Sequence, residues 1–222
     1  MSEIVQKAED FVTNLLQTEL DTKFLYHNLK HTQRVVKSAK ELLEHYQLND
    51  DENERLLLAA WFHATGYTRG TDDHEKTSCT IADDFLTKEG LKQQSVEAVK
   101  NLIMATKRHH QPTHLHEEII RDADASHLAQ KSYWQTTDYL KEELDLLEIA
   151  TYTQKEWRDI NIKMFRNEHT FHTEYAKERW NLGKEKNLKQ LVKEKKTEKD
   201  IAKKEALKAK YKSESPDRGI QT

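Results

Sequence analysis

The chain has 222 residues, of which 34% are charged and 36% apolar, with 5 Gly, 2 Pro and a single Cys. That length can bury one sizeable core or two small ones, the apolar content excludes a simply disordered chain, and a lone Cys79 excludes an internal disulfide framework and points to a reducing compartment. The net charge of −3 conceals a segregation: residues 183–213 carry 12 Lys against 4 Glu and 1 Asp, a net of +7, and residues 1–182 carry −9.

No apolar run approaches the roughly 20 residues that span a bilayer, and the start MSEIVQKAEDF lacks the basic and apolar regions of a signal peptide, so a soluble, cytoplasmic chain is expected. Before Pro112 there is no proline and only Gly66, Gly70 and Gly90, which leaves long helices uninterrupted and makes an all-α fold the expectation. Ile4, Ala8, Phe11, Val12, Leu15 and Leu16 trace a first helical stripe, and Val35, Val36, Ala39, Leu42 and Leu43 a second. Leu56 to Phe62 is an unbroken apolar run and reads as a central helix buried on most sides, stopped where Gly66 and Gly70 punctuate the chain. Further helices are expected at about 72–88, with Thr71 or Asp72 as N-cap, and at about 91–107, 115–130, 133–148 and 153–181, the last broken near His169.

Three domains of unequal weight follow: a helical body over 1–182, a Lys-rich helical connector over 183–213, and a linker end at 214–222, where Pro216, Asp217 and Gly219 stop the helix. Leu188, Leu191, Val192, Ile201, Ala202, Ala206, Leu207 and Tyr211 form a thin apolar seam along the connector. Such a helix packs lightly on the body or on a second copy of itself; lying near a membrane or a nucleic acid is the sharper alternative, with nucleic acid the less expected.

Twelve histidines in an acidic body exceed what a core needs. His31 opens the second helix, His63 closes the most apolar one, and Asp122 and Asp124 follow an apolar approach and point to different faces of a helix. Each has an ordinary reading: His63 as a hydrogen-bonded core histidine, His31 as a surface residue, the two acids as caps or partners of Arg121 and Lys131. Together they offer the N and O donors that suit Zn, Mn, Fe or Ni rather than Ca.

The order His, His on an apolar helix, then Asp resembles the HD-domain superfamily of metal-dependent phosphohydrolases, which carry a His, a His-Asp doublet and a distant Asp on a helical bundle. The likeness covers most of residues 5–182. It extends to Trp61 to Tyr67, to Glu75 with Ser78, to Ala105 to Lys107 and to Asp122 to Asp124. It implies an HD-domain helical bundle and a site for one or two divalent ions (Mn, Zn, Fe, Ni or Mg) held by His31, His63 and Asp124, with Asp122 as a neighbouring candidate. In two-metal members further histidines bind the second ion, which draws in His74 and His109 or His110, whose other reading is as polar residues at helix ends. Glu75 and Lys107 are the implied catalytic residues, and Lys107, Arg108, Lys131 and Arg121 the cations available to phosphate oxygens.

One departure is central. Where the doublet has Asp, this chain has Ala64, whose methyl group ligates nothing. Either the chain is a natural non-catalytic member or an active protein has been altered at this position, and the persistence of His31, His63 and Asp124 favours the alteration. The expected activity is hydrolysis of a nucleotide phosphoester, impaired at Ala64. The alternatives are a non-catalytic nucleotide sensor and a helical oligomerisation domain with a vestigial site. Residues 172–176, 184–188 and 216–222 resemble the junction of bacterial proteins in which such a domain precedes a membrane-spanning Pycsar-effector domain. That resemblance implies a role in anti-phage signalling, a homodimeric connector through 183–213 and a membrane domain beyond the chain.

Overall fold

A computed structural model of the chain describes residues 2–214; the expected linker end lies outside them apart from Glu214. Every regular element among the described residues is helical, in the order α1 (Glu3–Glu19), α2 (Leu29–Tyr46), α3 (Asp50–Phe62), α4 (His74–Lys88), α5 (Gln93–Ala105), α6 (Leu115–Ala125), α7 (Tyr133–Leu146), α8 (Gln154–Lys163), α9 (Glu174–Arg179) and α10 (Asn181–Glu214). Short 3₁₀ turns at Thr65–Arg69 and Ser126–Ala129 follow α3 and α6, and a π turn at Met164–Glu168 follows α8. The all-α bundle expected from the sequence is the fold found.

Helix α3 is the axis of the body and touches α1, α2, α4, α5 and α6. It starts sharply because Asn49 and Glu52 form a reciprocal capping box, which satisfies donors the first turn would otherwise leave open. Its run from Leu56 to Phe62 is buried apart from Leu57, and one large cluster unites it with Val5, Val12, Val35, Leu42, Leu86, Val99, Ile103, Ile119 and Ile120. Packing from several sides is why this stretch can be apolar all round.

One expectation is corrected and one is found as read. The N-cap of α4 is Asp73 rather than Thr71 or Asp72, and it adopts a left-handed φ of 45° without a side-chain cap bond. Its carboxylate is taken instead by Lys76 (2.7 Å) and Lys107 (3.0 Å). The break expected near His169 within 153–181 is present: the chain leaves the π turn there and is drawn across to α6, which divides the segment into α8, the π turn and α9. There Asp122 accepts from the backbone N–H of His172 (2.9 Å) and of Thr173 (2.8 Å) and from the Thr173 hydroxyl (2.7 Å). Thr173 in turn accepts from the N–H of Ala176 and caps α9.

A second, smaller cluster of Leu128, Tyr133, Ile162, Phe165 and Leu191 ties α7, α8 and the start of α10 to the Ser126–Ala129 turn. At Gly183 the two backbones meet so closely that a Cβ there would lie 2.2 Å from the Ala129 carbonyl oxygen. Asn187 donates to the carbonyls of Leu128 (2.9 Å) and Gln130 (3.1 Å), and Lys184 to that of His169 (2.6 Å). Docking continues through Lys195–Asp159 and Arg158–Glu198 ion pairs. Beyond Glu198 the side chains described, as far as Leu207, are exposed. No helix among the described residues is long and apolar enough to cross a membrane.

Candidate metal centre

Three elements deliver one donor each. His31 lies in the first turn of α2, where Asn28 accepts from the N–H groups of Lys30 and His31 and so fixes the helix start. His63 terminates α3, and Asp124 lies in the last turn of α6. His31 Nε2 is 3.0 Å from His63 Nε2 and 3.3 Å from Asp124 Oδ1, and His63 Nε2 is 3.8 Å from the same oxygen. Donors about 2.1 Å from a common ion stand roughly 3.0 Å apart at an octahedral edge and 3.4 Å at a tetrahedral one; the two separations from His31 match such edges, and the 3.8 Å between His63 and Asp124 is a few tenths of an ångström wider, which an ion would close by drawing the partly exposed Asp124 carboxylate inward. They form the one such group of three among the described residues.

The surroundings prepare His63 for that role. Its Nδ1–H donates to the Ala60 carbonyl (2.8 Å), which places the proton away from the cluster and leaves Nε2 with a lone pair facing it. The turn after it is locked by Ser78, whose hydroxyl donates to the His63 carbonyl (2.9 Å) and accepts the Gly66 N–H (2.8 Å). Gly66 is required there, since a Cβ would lie 1.9 Å from the backbone oxygen of His74. Burial holds the His31 imidazole neutral, with its pKa pushed down to about 3, and lowers His63 as well. Burial alone would raise the Asp124 carboxyl, but the hydrogen bond from His31, foremost, holds it below the usual range. The cluster is therefore two neutral imidazoles and one carboxylate at neutral pH, the protonation state a divalent ion needs.

The other expected residues take separate places. Asp122, fully buried, spends both oxygens on His172 and Thr173, and burial raises it to about 6. Ala64 is buried directly behind His63 and brings no oxygen to the triad. His74 approaches the site: its ring stacks on Tyr67 at 4.0 Å, Tyr67 stacks on His27 at 4.3 Å, and burial lowers the His74 pKa to about 4. Glu75 stands beside it, Oε2 3.6 Å from His74 Nδ1. His110 is not brought in; its Nε2 meets Glu117 Oε2 at 3.1 Å at the far end of α6, and nothing in the contacts places His109 near the triad. Lys107 is paired with Asp73 and Arg108 with Glu168 (3.2 Å), Arg121 clamps the carbonyls of Ala105 and Lys107, and Lys131 is exposed.

Sequence reasoning missed five neighbours: Arg34, Glu143, Tyr26, His27 and His127. Arg34 donates to His31 Nδ1 (2.9 Å), and its i+3 spacing from His31 was the available signal. Glu143, 2% exposed, accepts from the N–H of Tyr26 (2.7 Å) and His27 (2.9 Å) and bonds the His27 ring, so α7 holds the loop before α2 in place. Tyr26 lies with its ring 5.0 Å from that of His31 and its hydroxyl 3.4 Å from His127 Nδ1.

Residues 28–129 match the family model described as HD domain, a segment that contains His31, His63 and Asp124 and ends at the turn on which α10 docks. The match supports the metal-dependent phosphohydrolase superfamily for this segment. No curated protein and no solved structure matches the chain.

Proposed function

We propose that the chain is a divalent-metal phosphohydrolase or phosphodiesterase domain that acts on a nucleotide and whose turnover is impaired by Ala64. The observation that carries the reading is the convergence of His31, His63 and Asp124 on one coordination face inside the matched segment. His31, His63 and Asp124 would hold a divalent ion, which would supply Lewis-acid polarisation of a phosphoryl oxygen and activation of water near neutral pH. The chain supplies the rest. Ala60 holds the tautomer of His63, Ser78 fixes its backbone, and Asp124 contributes the negative charge. With Ala64 a second oxygen donor and its charge are missing, so weaker ion binding and turnover reduced by orders of magnitude are expected. Restoring the carboxylate with Ala64→Asp, then measuring bound metal by mass spectrometry and hydrolysis across a nucleotide panel, tests the reading. It predicts near-stoichiometric transition metal and new phosphoester cleavage; a folded Ala64→Asp protein that binds no metal and cleaves nothing refutes it.

A second reading, favoured by the direct packing of α10 on the turn that follows Asp124, is a nucleotide-sensing module. It would relay occupancy through 183–213 to a partner copy or to a membrane effector domain in anti-phage signalling. Nucleotide binding by the Ala64 chain, with none hydrolysed by Ala64→Asp, would select it.

A further inference from the structure

A groove of about 590 Å³ runs from the end of α1 across the loop before α2 to the start of α7 and reaches His31. Its volume is that of a small-molecule site. Its lining includes Lys30, Arg34 and His31 and no carboxylate, although residues 1–182 carry a net −9. An opening of that kind in an acidic body favours an anion. Phe24, Tyr26 and Tyr139 add aromatic surface, with Phe24 and Tyr26 buried and Tyr139 42% exposed.

Arg34 stands where groove and triad meet. One of its nitrogens donates to His31 Nδ1 at 2.9 Å, its guanidinium lies 5.6 Å from the centre of the Tyr26 ring, and its Nε is buried without a partner. A guanidinium only donates, so His31 Nδ1 must accept and the proton of the neutral ring is on Nε2, facing His63 and Asp124. Ligation through Nε2 needs the opposite tautomer, with the proton on Nδ1 and no net proton gained or lost. A ring carrying Nδ1–H cannot accept from Arg34. Occupation of the triad and the Arg34–His31 bond therefore exclude one another.

Resting on the phosphohydrolase reading of the triad, we propose that this groove binds a nucleoside monophosphate, its phosphate held by Lys30 and Arg34 and its base against the aromatic wall. Arg34 alternates between His31 and that phosphate, so it restrains the triad when the groove is empty and grips the ligand when it is filled.

The test is calorimetric titration of the full chain with adenosine and cytidine 5′-monophosphates, the two nucleosides, inorganic phosphate and, separately, Mn²⁺. The monophosphates should bind at least tenfold more tightly than nucleosides or phosphate. Arg34→Met should weaken them tenfold or more while tightening Mn²⁺ binding at least threefold, because the competitor for His31 is gone. Lys30→Met should weaken the monophosphates and leave Mn²⁺ unchanged. Damage to the fold would weaken both ligands together, and thermal melts with Arg34→Lys as the conservative variant identify that case. Unchanged monophosphate affinity in Arg34→Met, or a parallel loss of both ligands in a variant that melts normally, overturns the proposal. If the chain and Ala64→Asp both bind no Mn²⁺, the phosphohydrolase reading fails; monophosphate binding lost in Arg34→Met and Lys30→Met would then still establish the groove.

Discussion

Asp122 and Asp124 are two residues apart in one helix, and replacing each separates architecture from chemistry. Asp122→Ala removes an acceptor that serves two backbone N–H groups and the Thr173 hydroxyl, all in a buried setting. Hydrogen bonds to a charged group contribute about 1.5–3 kcal/mol each, and orphaned buried donors cost about 1–3 kcal/mol. Burial raises the Asp122 carboxyl to about 6, so part of that gain is already offset by desolvation at neutral pH. A net loss of roughly 3–4 kcal/mol follows, about 10 °C in melting temperature for a chain of this length. Asp122→Asn should cost less, about 1–2 kcal/mol, since one oxygen can still accept at the Oδ2 position. Asp124→Asn should cost about 1 kcal/mol or less, because its side chain is 32% exposed and water can replace the lost contacts. In the Ala64→Asp background, where metal is expected to be held, binding should follow the reverse order: retained by folded Asp122→Ala and lost in Asp124→Asn. Urea unfolding with metal analysis of the folded fraction measures both. An Asp122→Ala protein that unfolds like the parent yet has lost its metal would refute the assignment.

Other outcomes follow from the same contacts. Burial lowers His31 and His169 to about 3 and His74 and His127 to about 4, against an ordinary value near 6.5. These groups stabilise the fold fully above the unfolded pKa and lose that contribution as pH falls toward the folded values. Each should cost about 1 kcal/mol per pH unit below 6, so the metal-free protein should melt steeply lower from pH 6 to 4; a flat profile contradicts the neutral buried imidazoles. Gly66→Ala pushes a methyl into the His74 carbonyl and should lower stability by about 3 kcal/mol or more by urea titration, whereas tolerance would show that the turn can shift. Removing residues 199–222 deletes no side chain that is buried among those described, so the melting temperature should hold within about 2 °C. Light scattering on the same truncation tests whether the connector joins two copies: a fall from dimer to monomer is expected, and an unchanged mass dismisses the dimer.

What could be read in advance depended on range along the chain. The apolar run before His63 marks a helix packed on many sides, and a spacing of two residues on an α-helix, about 200° of rotation, turns Asp122 and Asp124 to different faces, so a split in their roles was legible. Which acid joins the histidines was decided by a segment some 50 residues later, at His172 and Thr173, and no local pattern carries that. The grip of Glu143 on Tyr26 and His27 spans a separation of 117 and 116 residues and was invisible for the same reason. The cations expected to meet phosphate illustrate another limit. Sequence shows that Lys107 and Arg108 are basic, and only the fold shows that Asp73 and Glu168 already hold them.

The contact of Gly183 with Ala129 has a mechanical meaning. Helix α10 has 34 residues and is about 51 Å long, of which the part to Glu198 lies along the body for about 27 Å. Ala129 is five residues from Asp124 along the chain, and from that contact to Glu198 the helix is held by Asn187, Leu191 and the Lys195–Asp159 and Arg158–Glu198 pairs, so its start and the turn after Asp124 pack as one unit. The 16 residues after Glu198, about 24 Å of helix, extend past the last of these contacts. Glycine at that contact leaves no side chain between the backbones, so any larger residue at 183 would lift the start of α10 off the turn that follows Asp124.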